Sequence, residues 1–211
     1  MTCKQHLSLE SDIYLNSDNN SLISIVIFEK NMSSIIRIQD LRFTEYVTPD
    51  AITHRVQEIA QALDEKFKGI DSILTIITLK GAFIFAADLI RCMKTPMLID
   101  MVKASSYKGG VSSSGTVTLS KFTEEYDGKH VLIIEDIVDS GRTIHALQDA
   151  LKEKNIASCT IVALCSKPSQ HTIEISKEFV GFELPPVFIV GYGLDYKEMG
   201  RGLPGIWRCI D

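Results

Sequence analysis

The sequence predicts an α/β protein with a mostly parallel central sheet flanked by helices. Three observations carry that prediction. Short apolar, β-branched runs recur at Ile73–Leu79, Met97–Val102, Val131–Ile134 and Cys159–Leu164. Segments with helical periodicity separate several of them. Polar or glycine-rich stretches follow the runs, where the ligands of open α/β sheets bind.

The elements follow in order. Residues 1–40 differ from the rest: Asn16–Ser24 reads NSDNNSLIS, a linker-like stretch, and the short runs 24–28 and 35–38 carry no motif. Residues 1–40 are therefore expected to form a partly disordered N-terminal extension, with the folded domain over 41–211. Met32 is a candidate alternative start, which makes residues 1–31 dispensable for activity.

Thr48-Pro49-Asp50 supplies an N-cap, a proline at the first helical position and an acid in the first turn. Ile52, Val56, Ile59, Leu63 and Phe67 then mark one helical face, with Gly69 as the expected C-cap. A buried strand follows over Ile73–Leu79, broken by Lys80-Gly81. A helix is expected over Phe83–Met93, and a strand over Met97–Val102 behind Pro96. Ser105–Gly115 is rich in glycine and serine around Tyr107, a composition that marks a mobile loop. Strands are expected at Val131–Ile134, Cys159–Leu164, Phe179–Phe182, Phe188–Val190 and Ile206–Ile210. Arg142–Lys154 is a helix with Ile144, Leu147 and Leu151 on one face.

Composition narrows the function. The 211 residues carry 22 Lys and Arg against 27 Asp and Glu, a formal net charge of −5. That balance disfavours a nucleic-acid polymer as ligand. No apolar run approaches the ~18 residues of a membrane span, and no secretory signal pattern opens the chain. The five cysteines form no C-x-x-C and have no accompanying His cluster. This points to a reducing, cytoplasmic setting, with Cys165 as a buried thiol.

Chemistry concentrates in Val131–Thr143, VLIIEDIVDSGRT. Four apolar residues lead into Glu135-Asp136, then Asp139-Ser140-Gly141-Arg142-Thr143 opens a helix. Carboxylates at a strand end accept hydrogen bonds from sugar hydroxyls, directly or through a divalent cation. The loop offers backbone N–H groups, two hydroxyls and the start of a helix dipole, which together make a phosphate cradle. The alternative is that Asp139 or Ser140 merely caps the helix.

With these residues in view, the chain resembles the type I phosphoribosyltransferases, and within them the compact bacterial-type hypoxanthine-guanine phosphoribosyltransferases. The resemblance spans about Thr44 to Ile210. It rests on Leu79-Lys80-Gly81, Ser105-Ser106-Tyr107, IIEDIVDSGRT, Lys167-Pro168 and Phe188–Arg201, in that order. It implies a central parallel sheet with a small hood and a mobile active-site loop.

The resemblance also implies roles. Glu135 and Asp136 contact the ribose hydroxyls, and Asp139, Ser140, Gly141, Arg142 and Thr143 hold the 5-phosphate. Asp139 also moves a proton at purine N7. Lys167 donates to O6, Phe188 stacks on the base, and the backbone of Ile189 faces the edge that distinguishes guanine from hypoxanthine. Lys80, Gly81 and Arg201 contact pyrophosphate, and the peptide before Lys80 is often cis in relatives. Ser106 and Tyr107 belong to the lid. Asp195, with Glu135 and Asp136, binds Mg²⁺.

The implied activity is Mg²⁺-dependent transfer of 5-phosphoribosyl to N9 of hypoxanthine or guanine in purine salvage, by a homodimer or homotetramer. Two rivals share the motifs: an enzyme for xanthine or another base, and a non-catalytic regulator that senses phosphoribosyl pyrophosphate. One departure stands out, because Gly200 and Gly202 flank Arg201 and loosen the backbone there.

Overall fold

A computed structural model describes residues 35–106, 117–173 and 179–211. The expected extension over residues 1–34, Tyr107 and most of the expected lid lie outside the described residues.

Two sheets organise the chain. The larger has six strands: β3 (Ile73–Leu79), β4 (Met97–Ser106), β5 (Val117–Leu119), β6 (His130–Val138), β7 (Ser158–Ser166) and β8 (Phe179–Glu183). Their spatial order is β5-β4-β3-β6-β7-β8. All neighbouring pairs are parallel except β4–β5. The smaller sheet is the hood. It is antiparallel, in the order β1 (Ile35–Ile38), β2 (Leu41–Val47), β10 (Ile206–Cys209) and β9 (Ile189–Val190).

Helices cover both faces of the large sheet, and the alternation of β3 shows why. Ile73 and Ile77 join Ile52, Val56, Ile59 and Leu63 of α1 (Pro49–Lys66) and Phe85 and Leu89 of α2 (Phe83–Cys92) in one core. Leu74 and Ile76 point the other way. They meet Ile144, Leu147 and Leu151 of α3 (Arg142–Lys152) in a second core. A strand buried on both faces reads as a continuous apolar run. Each fully buried Ile or Leu contributes on the order of 1.5–3 kcal/mol.

The helix start at Thr48 is as the sequence predicts, with the Thr48 hydroxyl accepting from the Ala51 N–H. Its end differs. Phe67 is the C-cap, and Gly69 lies two residues on at φ +83° in the turn toward β3.

Other boundaries differ from the sequence expectation, three of them at the site or in the hood. β6 does not stop before Glu135 but runs to Val138, because β7 extends alongside it and pairs Glu135 with Ala163 and Ile137 with Cys165. Ladder pairing thus overrides the local polarity of the acidic pair. β4 likewise runs on to Ser106 and takes in Ser105, where β5 pairs with it. Residues 35–38, placed in the extension by the sequence, form the outer strand of the hood. Ile36 and Ile38 are buried there against Phe43, Val190, Leu203 and Trp207.

Candidate active site

The carboxyl ends of β3, β6 and β7 lie side by side, and each delivers part of the site. β6 delivers Glu135, Asp136 and then the loop into α3. Gly141 stands at the N-cap of α3 at φ +86°, a left-handed conformation that favours glycine. No side chain caps this helix. The Ser140 hydroxyl makes only a long 3.5 Å contact from the Arg142 N–H. A helix start of this kind suits an anion.

Glu135 is buried, and its Oε2 has no hydrogen-bond partner among the described residues. Burial first, and the neighbouring Asp136 second, push its carboxyl well above the ordinary carboxylate range. Asp136 accepts from the Ile137 N–H through Oδ1 at 2.8 Å. Its other oxygen lies against Gly81, where a Cβ would stand 1.5 Å from Oδ2. Only glycine fits that contact. A Cβ on Gly193, itself at φ +102°, would stand 2.0 Å from the Gly81 carbonyl oxygen. The phosphate strand, the β3–α2 turn and the hood loop therefore interlock through two glycines.

Near the end of β3, the Thr78 hydroxyl donates to the Ile134 carbonyl at 2.9 Å and ties β3 to β6. The Leu79–Lys80 peptide is cis, as the resemblance implies. Lys80 Nζ meets Glu198 Oε2 at 3.0 Å. Glu198 is a residue that sequence reasoning missed.

β7 delivers Lys167, which is only 7 % exposed. Its backbone N–H donates to the Val138 carbonyl at 2.9 Å, and its Nζ lies 3.4 Å from Asp139 Oδ2. The buried lysine and the exposed acid of the loop thus meet at one point. Thr172 missed notice too: its N–H and its hydroxyl both donate to the Ser140 carbonyl, pinning the phosphate loop from the side of β7. Cys165 is fully buried beneath, and burial raises its thiol pKa.

The hood supplies the remaining groups. Phe188 is 45 % exposed, with its ring 5.6 Å from Tyr196 and 6.1 Å from Phe43. An aromatic face held at the surface by two other rings is a shelf for a flat ligand. Ile189 is buried in β9, where it pairs with Arg208. Tyr196 donates from its hydroxyl to Asp40, which also binds Lys197.

Arg201 is held firmly despite its flanking glycines. It donates to the Gly193 carbonyl at 2.8 Å and pairs with Asp195 Oδ1 at 2.7 Å and Glu198 Oε2 at 3.2 Å. Gly200, at φ +92°, turns the chain where a Cβ would stand 2.9 Å from Ile38. Arg142 and Thr143 lie on the first turn of α3.

The expected metal ligands are not assembled. Among the described residues no three His, Cys, Asp or Glu side chains form a group able to hold an ion. Asp195 uses Oδ1 for Arg201 and Oδ2 for the Glu198 N–H. The donor set still suits Mg²⁺, which takes one or two carboxylates plus substrate phosphates rather than a protein cage. The unpartnered Oε2 of Glu135 is one such oxygen. Of the lid, Ser106 ends β4, and Tyr107 is outside the described residues.

A parallel sheet covered on both faces, a helix start after the strand-end acids and a hood with an exposed aromatic ring together define an α/β protein with a site at the carboxyl ends of its strands. The model of the phosphoribosyl transferase domain family matches residues 44–197. The chain belongs to the phosphoribosyltransferase family.

Its relatives are more particular. It is 40 % identical over 161 residues to a hypoxanthine-guanine phosphoribosyltransferase of Streptococcus pneumoniae, covering 76 % of this chain and 89 % of that protein. It is 37 % identical over 169 residues to the hypoxanthine phosphoribosyltransferase of Salmonella typhimurium, covering 79 % and 95 %. A crystal structure of a hypoxanthine phosphoribosyltransferase from Staphylococcus aureus superposes with a TM-score of 0.74 at 34 % identity, covering 78 % of this chain and 90 % of that one. Among the described residues no helix is long and apolar enough to cross a membrane.

Proposed function

We propose that this chain transfers the 5-phosphoribosyl group of phosphoribosyl pyrophosphate to N9 of hypoxanthine or guanine, releasing pyrophosphate and giving IMP or GMP, as a step of purine salvage in the cytoplasm. The names of its relatives support the choice of base. The observation that carries the reading is the meeting of buried Lys167 with Asp139 at 3.4 Å, beside the phosphate loop. A 6-oxopurine presents an acceptor at O6 and a second ring nitrogen at N7, one edge for a lysine and a carboxylate together.

The chain's residues divide the reaction between them. The backbone N–H groups at the start of α3, with the hydroxyls of Ser140 and Thr143 and the Arg142 guanidinium, hold the 5-phosphate. Glu135 and Asp136 face the ribose hydroxyls. Phe188 stacks on the purine, Ile189 presents backbone to its edge, and Lys167 donates to O6. Asp139 holds or moves the proton at N7 while N9 attacks C1 of the ribose. As the C1–oxygen bond breaks, charge grows on pyrophosphate, and Lys80 and Arg201 answer it. The lid residues Ser106 and Tyr107 belong to the water-excluding part of the reading. Mg²⁺, held by the substrate's phosphates with Asp195, Glu135 or Asp136 as carboxylate donors, would supply further charge neutralisation at the leaving group.

A homodimer or homotetramer is part of the reading. The exposed side chains of Phe83, Leu98, Ile99 and Met101 on α2 and β4 support it, because such apolar surface is commonly covered by a partner.

The test is a product assay with Mg²⁺ and phosphoribosyl pyrophosphate against hypoxanthine, guanine, xanthine, adenine and uracil in turn. Nucleotide should form from the first two. Asp139→Asn should lower turnover by roughly 10²–10⁴-fold, the usual size of a general acid–base contribution. Turnover like the wild type would remove Asp139 from proton transfer.

A further inference from the structure

The two cations assigned to pyrophosphate already share an anion of the chain's own. Glu198 Oε2 lies 3.0 Å from Lys80 Nζ and 3.2 Å from Arg201 Nη2. One oxygen thus bridges two cations that reach it from separate elements, Lys80 from the β3–α2 turn and Arg201 from the hood loop.

The backbone is bent to make this possible. Lys197 and Glu198 both have positive φ, +51° and +65°. The Glu198 N–H is fixed by Asp195 Oδ2 at 2.8 Å, so the backbone is anchored while the side chain is 66 % exposed. Asp195 is the less exposed partner of Arg201, and it also holds that N–H. Of the two carboxylates on Arg201, Glu198 is the one free to swing into solvent. Hydrogen bonds from Lys80 and then Arg201 hold its carboxyl below the usual carboxylate range, so it is charged at neutral pH.

We propose that the Glu198 carboxylate competes with pyrophosphate for Lys80 and Arg201. It pairs the two cations between turnovers, yields them to the incoming substrate, and takes them back as the product leaves. This rests on the reading that Lys80 and Arg201 bind pyrophosphate. An internal competitor lowers the affinity for both substrate and product, and so speeds release of a highly charged product that two unpaired cations would retain. The exchange is affordable because exposed ion pairs are individually weak.

The test is calorimetric titration of the full chain with magnesium pyrophosphate, alongside inhibition of the forward reaction by added pyrophosphate. Glu198→Gln removes the charge and keeps the shape. It should tighten pyrophosphate about three- to tenfold, from the loss of two exposed pairs. The KM for phosphoribosyl pyrophosphate should fall by a similar factor, and the KM for the purine should not move.

If Glu198 instead organises the cations for binding, Glu198→Gln will bind pyrophosphate equally or more weakly, which overturns the proposal. Glu198→Ala repeats the measurement without the amide and should behave as Glu198→Gln does. Lys80→Ala and Arg201→Ala separate the two levels. If they weaken pyrophosphate binding while Glu198→Gln fails to tighten it, only the competition is wrong. If neither weakens it, the pyrophosphate assignment itself fails.

Discussion

The two regions proposed to bind anions are built on different principles. The 139–143 loop presents backbone: a helix start without a side-chain cap, a left-handed glycine and hydroxyls. The Lys80 and 195–201 region works with side-chain charge, and every cation in it is already paired. Lys80 meets Glu198, and Arg201 meets both Asp195 and Glu198. Backbone donors are fixed by the fold and need no counter-ion. Long cationic side chains need internal partners to hold them in place, and these partners must be displaced or shared when the ligand arrives.

The contact that joins the two regions offers the largest test. Gly81→Ala drives a methyl group into the Asp136 carboxylate, which must shift. Displacements of about 1 Å in such sites cost on the order of 10²-fold in rate, and kcat/KM should fall by at least that much. Activity near wild type would mean that the two regions need not interlock.

The side-chain region should be the more sensitive to single substitutions. Arg201→Ala removes charge-assisted hydrogen bonds worth about 1.5–3 kcal/mol each, so the KM for phosphoribosyl pyrophosphate should rise more than tenfold. Ser140→Ala removes one hydroxyl from a loop whose donors are mainly backbone, and its effect should stay within about fivefold, the ~1 kcal/mol of a neutral hydrogen bond. Equal effects in steady-state kinetics would erase the distinction between the regions.

The last effect is on stability rather than rate, and it belongs to the backbone itself. Gly141→Ala forces a Cβ into the left-handed conformation at a cost of roughly 1–2 kcal/mol. A thermal melt should show a drop of several degrees, with a weaker 5-phosphate contact. An unchanged Tm would mean that the loop relaxes to another conformation.

Much of this was legible in the residues. The strand over Ile73–Leu79 and the helix starts at Thr48 and Arg142 follow from local rules: β-branched runs, a Thr-Pro-Asp opening and a glycine before a helix. Glu135, Asp136, the 139–143 loop, Lys167 and Phe188 stand out in the sequence because a shared pattern of motifs marks them. Glu198 and Thr172 were not, because each acts through a partner distant in sequence, Lys80 and Ser140 respectively. Nor was the place of Ile35–Ile38, whose four residues join the hood through β2 and through Val190, Leu203 and Trp207.

The sequence by itself therefore determined which segments are buried on two faces and which start helices, because those properties depend on neighbours within a few residues. Tertiary structure alone decided that β6 carries its acids inside the ladder, that Lys167 is buried beside Asp139, and that a hood loop returns to close on Lys80. Each of these depends on a strand or turn laid alongside from far along the chain. No local spacing encodes the pairing that places it there.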